Sequence, residues 1–169
     1  LVAIPTETVY GLAANAYEQE AVEGIFRAKG RPQDNPLIVH IGAGEPLSPL
    51  VRAVPPAAEK LMKAFWPGPL TLILPKSDRI PDAVSAGLDT VAVRVPAHPV
   101  AQAVIRAAGV PLAAPSANTS GRPSCTTAED VLEDMDGKIA AVVDGGPCQV
   151  GVESTILDLT CDPPRLLRP

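Results

Sequence analysis

Aromatic side chains are scarce in this sequence: Phe, Trp and Tyr make up 3% of it, with a single tryptophan. A core must therefore be built from Val, Leu, Ile and Ala, and platforms for stacking nucleic-acid bases are nearly absent. Basic residues are also in deficit, with 14 Lys and Arg against 19 Asp and Glu and a net charge of -5. That argues against a generally basic surface for DNA or RNA, but leaves room for a local basic pocket. Cysteines are few and unpaired in sequence: Cys125, Cys148 and Cys161 form no CxxC, and His40 and His98 are the only further soft ligands. Neither a disulfide framework nor a zinc site is supported, which favours a reducing, cytoplasmic setting. No apolar run approaches membrane-spanning length, and Leu1-Val2-Ala3-Ile4 ahead of Pro5 is too short for a signal peptide. Neither GxxxxGKS/T nor GxGxxG occurs, so no P-loop or dinucleotide-binding turn is indicated.

Proline, by contrast, is abundant, with 20 in 169 residues. The prolines stand at the edges of apolar runs and read as punctuation between short elements. Residues 1–4 read as a buried strand. Val22, Ile25 and Phe26 share one helical face, Lys29 falls in the last turn, and Gly30 stands where a helix stops. Residues 37–41 read as a strand. Residues 55–65 read as a helix with Ala57, Leu61, Ala64 and Phe65 on its apolar stripe and prolines at its start. Trp66-Pro67-Gly68-Pro69 ends it, either as a stacking platform or as a rigid corner. Residues 70–74 and 90–96 read as strands. His98-Pro99 opens a helix with Val100, Ala103, Val104 and Ala107 facing inward and Gly109 ending it. A short strand at 111–114 precedes a polar loop, and Thr126-Thr127-Ala128-Glu129 is written as a capping box for a helix to Met135. Residues 139–143 and 151–159 complete the strands, and Leu166-Leu167-Arg168 ends the chain on a short apolar run. The expected fold is α/β, one domain over residues 1–169, with direct strand-to-strand links and hence a twisted mixed parallel and antiparallel sheet.

Polar groups gather where these strands end. Pro5-Thr6-Glu7-Thr8 places two hydroxyls and a carboxylate after the first strand, where open α/β sheets collect ligands; the hydroxyls could equally cap a turn. Lys29, Arg31 and Asn35 lie in or beside a loop braced by Pro32 and Pro36, as binding groups or as charges serving the helix terminus and solvent. His40 reads as a packed structural histidine or a ligand contact. Arg94 sits inside an apolar strand and needs an anion there: a ligand carboxylate, Glu7 or Glu153. Pro115-Ser116-Ala117-Asn118-Thr119-Ser120 runs through Ser124 towards a helix N-terminus, a pattern that suits a phosphate seat. Ser154 and Thr155 add a further hydroxyl pair. Lys, Arg, Ser and Asn without a Cys–His or Ser–His pair are the parts of a nucleotide phosphate site and not of a covalent hydrolase.

The blocks Pro5-Thr6-Glu7-Thr8-Val9-Tyr10-Gly11-Leu12, Lys29-Gly30-Arg31 with Asn35-Pro36-Leu37, Trp66-Pro67-Gly68-Pro69-Leu70-Thr71, Val93-Arg94-Val95-Pro96, Pro115-Ser116-Ala117-Asn118 and Ser154-Thr155-Ile156 resemble the YrdC family of threonylcarbamoyl-AMP synthases, in family order over nearly the whole chain. The resemblance implies a twisted mixed sheet around a concave, positively lined cavity. It implies conversion of L-threonine, bicarbonate or CO2, and ATP with Mg2+ into threonylcarbamoyl-AMP and pyrophosphate. The threonylcarbamoyl group then passes to tRNA through a separate transferase complex. By motif position, Lys29, Arg31, Ser116 and Asn118 would hold the ATP phosphates, with Asn35, Thr90, Ser124 and Arg168 also on the nucleotide side. Thr6 (or Thr8), His40, Arg94, Ala114 through its backbone, and Ser154 would hold threonine. No protein metal ligands are implied beyond the ion carried by the phosphates, and no membrane partner. Compared with the family, the chain lacks the helix ahead of the first strand and stops where the family continues, so it is expected to be a trimmed or short member without a second C-terminal domain.

Two other readings compete. A double-stranded RNA-binding module would grip RNA on the concave face, against the negative net charge and the scarcity of aromatics. A carbamoyl-adenylate domain of a hydrogenase-maturation protein would bring zinc-ligand cysteine pairs, which this chain lacks.

Overall fold

The structure is a computed structural model describing residues 1–169. In chain order the elements are β1 (Val2–Ile4), β2 (Gly11–Asn15), α1 (Gln19–Lys29), β3 (Ile38–His40), α2 (Pro56–Phe65), β4 (Leu70–Pro75), α3 (Asp82–Ser85), β5 (Thr90–Arg94), α4 (Pro99–Ala108), β6 (Leu112–Ala113), α5 (Ala128–Met135), β7 (Ala141–Val142), β8 (Thr155–Asp158) and β9 (Arg165–Arg168). All nine strands join one sheet in the order β7-β1-β2-β6-β3-β5-β4-β8-β9. The pairs β1–β7, β3–β5 and β4–β8 are parallel, and the other neighbours are antiparallel. The mixed α/β sheet expected from the strand order is therefore present.

Side-chain alternation gives the sheet two different faces. Val39, Val93 and Leu72 point to one side and are fully buried in a core that also takes Val22, Ile25 and Phe26 of α1 and Val131 and Met135 of α5. With so few aromatics, aliphatic burial carries this core, at about 2 kcal/mol for each fully buried Val or Leu. The residues between them, His40, Arg94 and Thr71, point to the opposite face. A smaller cluster of Ile4, Ala13, Ala101, Ile105, Leu112 and Ala114 packs α4 against the β1, β2 and β6 region.

Local signals set most boundaries. Gly30 ends α1 in the left-handed region at φ 61° and donates to Arg27 and Phe26 carbonyls, which turns the chain sharply into the 31–36 loop. Three expectations need correction. The buried residue of α2 is Ala58, flanked by half-buried Leu61 and Met62, while Ala57, Ala64 and Phe65 are exposed. The face of α4 is Ala101, Gln102 and Ile105. Gln102 is buried because its amide bridges the Ala43 N–H and the Pro96 carbonyl at 2.8 and 2.7 Å. Finally, the capping box of α5 sits one residue later than the sequence suggests. Thr127 Oγ1 accepts from the Asp130 N–H at 3.1 Å and the Asp130 carboxylate accepts from the Thr127 N–H at 3.0 Å.

This register makes a prediction. Thr127→Ala should lower folding stability by about 1 kcal/mol, read as a shift in the urea midpoint at unchanged slope. Thr126→Ala removes only a supplementary 3.2 Å bond to the same carboxylate and should cost less. The reverse order would place the cap on Thr126.

Candidate functional site

Sheet register places a row of polar and apolar side chains across five strands. His40 on β3 stands opposite Arg94 on β5, Arg94 opposite Thr71 on β4, Thr71 opposite Ile156 on β8, and Ile156 opposite Arg168 on β9. Neighbouring members of such a row are about 4.8 Å apart between strands. His40, Arg94, Ile156 and Arg168 of this row floor an open cavity of about 200 Å³, with fully buried Thr71 beneath them, and its walls include Thr6, Thr8, Arg31, Asn35, Ala114, Ser116, Glu153 and Ser154. Segments far apart in sequence thus converge on one hollow.

Arg94 forms the fixed corner of the cavity. Although only 4% exposed, its guanidinium donates from Nε to the Gly68 carbonyl at 3.2 Å, from Nη1 to Thr8 Oγ1 at 2.9 Å and from Nη2 to Glu7 Oε1 at 2.6 Å. Of the anions the sequence allowed as its partner, the protein supplies Glu7, whose second oxygen accepts from the Ala97 N–H at 3.0 Å. Thr6 shapes the same loop. Its hydroxyl donates to the Val9 carbonyl at 2.6 Å and accepts from the Thr8 and Val9 N–H groups at 3.2 Å. Thr6 therefore holds the turn, and Thr8 presents its hydroxyl to Arg94.

Beside Arg94, His40 is 4% exposed with Nδ1 3.2 Å from the Ile38 carbonyl. Burial, and then the neighbouring Arg94 charge, push its pKa down to about 3. The imidazole is thus neutral, and with Nδ1–H given to Ile38 its Nε2 is an acceptor. Across the row, Ser154 Oγ meets Thr71 Oγ1 at 2.7 Å, and Arg168 Nε donates to the Ser154 carbonyl at 2.7 Å. Burial lowers the pKa of Arg168. Glu153 is the one carboxylate in the cavity wall. The Ser124 hydroxyl donates to it and holds its pKa below the ordinary range.

Not every expected residue faces the cavity. Lys29 is 2% exposed, and its ammonium donates to the carbonyls of Ser116 and Asn118. Desolvation, then repulsion from Arg31, brings its pKa down to about 8. The Asn118 amide donates to the Thr119 and Arg122 carbonyls at 2.9 and 2.8 Å, leaving its buried Oδ1 without a partner. Lys29 and Asn118 thus brace the Ser116 loop from behind and do not line the hollow, as direct phosphate contacts would require. Asp134 pins the same loop from outside through the Thr119 N–H and Arg122. Ser124 reaches the cavity only through Glu153. Thr90 shares the Arg94 face of β5 but lies four residues back, about 13 Å along the strand, outside the hollow. The helix terminus expected to seat a phosphate is already filled by its own Asp130 carboxylate, which accepts from the Thr126 and Thr127 N–H groups.

Sequence reasoning passed over Thr71, and gave Glu7 and Glu153 only as alternative partners for Arg94. Each had a signal: a threonine inside an apolar strand, a carboxylate beside Ser154, and a carboxylate between two threonines.

This fold and site correspond to a known family. The Sua5/YciO/YrdC family model, described as telomere recombination, matches residues 1–169, and the chain belongs to that family. A threonylcarbamoyl-AMP synthase of Pyrococcus abyssi is 59% identical over 169 residues, covering 100% of this chain and 50% of the relative. One from Bacillus subtilis is 59% identical over 170 residues, covering 100% and 49%. A crystal structure of P. abyssi Sua5 complexed with L-threonine superposes with a TM-score of 0.98 at 59% identity, covering 100% of this chain and 50% of that one. The chain therefore spans about half the length of these curated relatives. No helix is long and apolar enough to cross a membrane.

Because His40 is held neutral when folded but titrates near 6.5 when unfolded, the unfolded chain binds the extra proton on acidification. Its contribution to stability is present above about pH 6.5 and is lost as pH falls towards 3. His40→Gln should flatten this part of the stability–pH curve, measured by urea unfolding at a series of pH values. In the wild-type protein the imidazole carbon resonances should stay those of the neutral ring from pH 8 down to 5.

Proposed function

We propose that this chain carries the site of an L-threonylcarbamoyl-AMP synthase, acting on L-threonine, bicarbonate or CO2, and ATP. The observation that carries the reading is the cavity corner: a buried guanidinium, held by its own protein, beside a neutral histidine acceptor and a ring of hydroxyls. Arg94 has one N–H left on each terminal nitrogen, a two-point match for an amino-acid carboxylate. His40 Nε2 can accept from the threonine hydroxyl, which gives a reason to prefer threonine over valine, since valine would leave that acceptor unpaired. The names of the relatives and the threonine held by P. abyssi Sua5 support the same reading.

The chemistry asks for positioning and charge more than for a base. The threonine amine forms a bond to the carbon of CO2, giving a carbamate and a proton, or to that of bicarbonate, giving the same carbamate with loss of water and no free proton. The carbamate oxygen then attacks the α-phosphorus, the α–β bridging P–O bond breaks, and its electron pair leaves with pyrophosphate. Arg31 and Arg168 line the cavity as charges for the phosphoryl oxygens, the Ser116 loop is held in place by Lys29, and Asn35 faces the same wall. Magnesium supplies further neutralisation of the phosphates when bound. The phosphates would hold such an ion, and Glu153, the one carboxylate of the wall, would stand on the same side of the cavity. The product would then serve a separate transferase acting on tRNA, in the cytoplasm.

The direct test is incubation with labelled bicarbonate, ATP, Mg2+ and threonine, omitting each in turn. Labelled threonylcarbamoyl-AMP and pyrophosphate should appear only in the complete mixture, and pyrophosphate release independent of threonine would overturn the reading. Arg31→Ala should cut turnover by about a hundredfold or more at an unchanged melting temperature. Lys29→Ala should cut it comparably by releasing the Ser116 loop. Arg94→Ala should raise the threonine requirement and, by leaving Glu7 buried without its partner, lower the unfolding midpoint as well.

A further inference from the structure

Glu7 has no part in the reaction as written, yet it is a buried carboxylate committed on both oxygens. It is 8% exposed, and both of its oxygens are engaged, one by Arg94 Nη2 at 2.6 Å and the other by the Ala97 N–H at 3.0 Å. Its own backbone is fixed too. The Glu7 carbonyl accepts from the Val150 N–H at 2.9 Å, and the Thr8 carbonyl accepts from the Gly151 N–H at 3.0 Å. The carboxylate is therefore anchored by the segment that leads to Glu153 and Ser154, and by the chain leaving β5.

An arginine on a strand can swing about several side-chain torsions, and burial alone does not choose among them. Here the guanidinium plane is set by three acceptors on different segments: Gly68 on the turn before β4, Thr8 and Glu7. Gly68 and Thr8 are neutral acceptors. Glu7 alone adds a charge, and so dominates both the orientation and the retention of the buried cation. The N–H groups left over, one on each terminal nitrogen, are the ones Arg94 can offer to the cavity.

We infer that Glu7 is a positioning residue: it fixes the rotation of Arg94 so that the two remaining N–H groups present a ready fork to a ligand carboxylate. The inference rests on the reading of the cavity as an amino-acid site, and it names the device that gives that site its carboxylate preference. Groups that orient a liganding side chain are worth about ten- to a hundredfold in affinity in the well-studied case of metal ligands. A comparable effect follows here, because a misaligned guanidinium makes one bond where an aligned one makes two.

The test uses L-threonine and L-threoninol, in which the carboxylate is replaced by a hydroxymethyl group, titrated calorimetrically into the full protein and its variants. In Glu7→Gln the preference for threonine over threoninol should fall about tenfold or more, with threoninol affinity within about twofold of wild type. Glu7→Asp retains the charge and should recover part of the preference. In turnover, Glu7→Gln should raise the threonine KM and leave the ATP KM unchanged. An unchanged preference, or equal loss for both ligands together with a raised ATP KM, overturns the positioning role and assigns Glu7 to the fold. Variants that do not fold count against it in the same way. If the wild-type protein binds no threonine at all, the proposed function fails and this inference with it, whereas normal wild-type binding with an unaltered Glu7→Gln preference sinks the inference alone.

Discussion

A charge buried in the middle of a sheet must be answered where it lies, and the contact between Arg94 and Glu7 is that answer. Removing either partner would leave an uncompensated ion in a site a few per cent exposed, at a cost of roughly 3–5 kcal/mol. Meeting the requirement draws together the loop after β1, the turn before β4, the end of β5 and the chain at Ala97. The cavity is the space this convergence leaves open. The same bonds that make the arginine tolerable also decide which of its hydrogens remain for a ligand.

A second layer of support lies behind the hollow. Lys29 crosses from α1 to the carbonyls of Ser116 and Asn118, and Asp134 on α5 holds the Thr119 N–H from the outer side. The amine of Lys29 keeps two carbonyl partners whether or not it is protonated, since a neutral amine still has N–H groups to donate. Its lowered pKa is a consequence of this enclosure and of Arg31, not a sign of acid–base chemistry. Cys125, whose thiol is pushed up to about 11 by burial, belongs to the same packed layer and is correspondingly unreactive.

Much of this was legible in the sequence, for identifiable reasons. Gly30 and Gly109 stop helices by a conformation that costs other residues more, and prolines bracket the strands, so α1, α4, β3, β4 and β5 could be placed. Arg94 declared itself by sitting in an apolar strand. Other features left no periodic trace. Gly11-Leu12-Ala13-Ala14-Asn15 forms β2 although its small residues show neither alternation nor branching, because tertiary pairing with β1 and β6 decides it. The faces of α2 and α4 were misread because alanines dominate both helices and give no clear stripe. The role of Asp130 was hidden by the nearby Glu129, which completes an equally plausible cap one residue earlier. Above all, a linear text cannot show that Thr71, Ile156 and Arg168 stand abreast of His40 and Arg94. That fact belongs to register.

The abreast arrangement has a corollary for how such chains can vary. Side chains on a strand alternate sides, so one residue gained or lost inside β4 or β8 would carry Thr71 or Ile156 to the core face and bring Leu72 or Leu157 into the hollow. Extra residues between β3 and α2 shift nothing in that line, whereas the short link from β5 to α4 holds Glu7 through the Ala97 N–H and has no such freedom. Insertions and deletions among related sequences should therefore fall in the former stretch and avoid the five strands that carry the row.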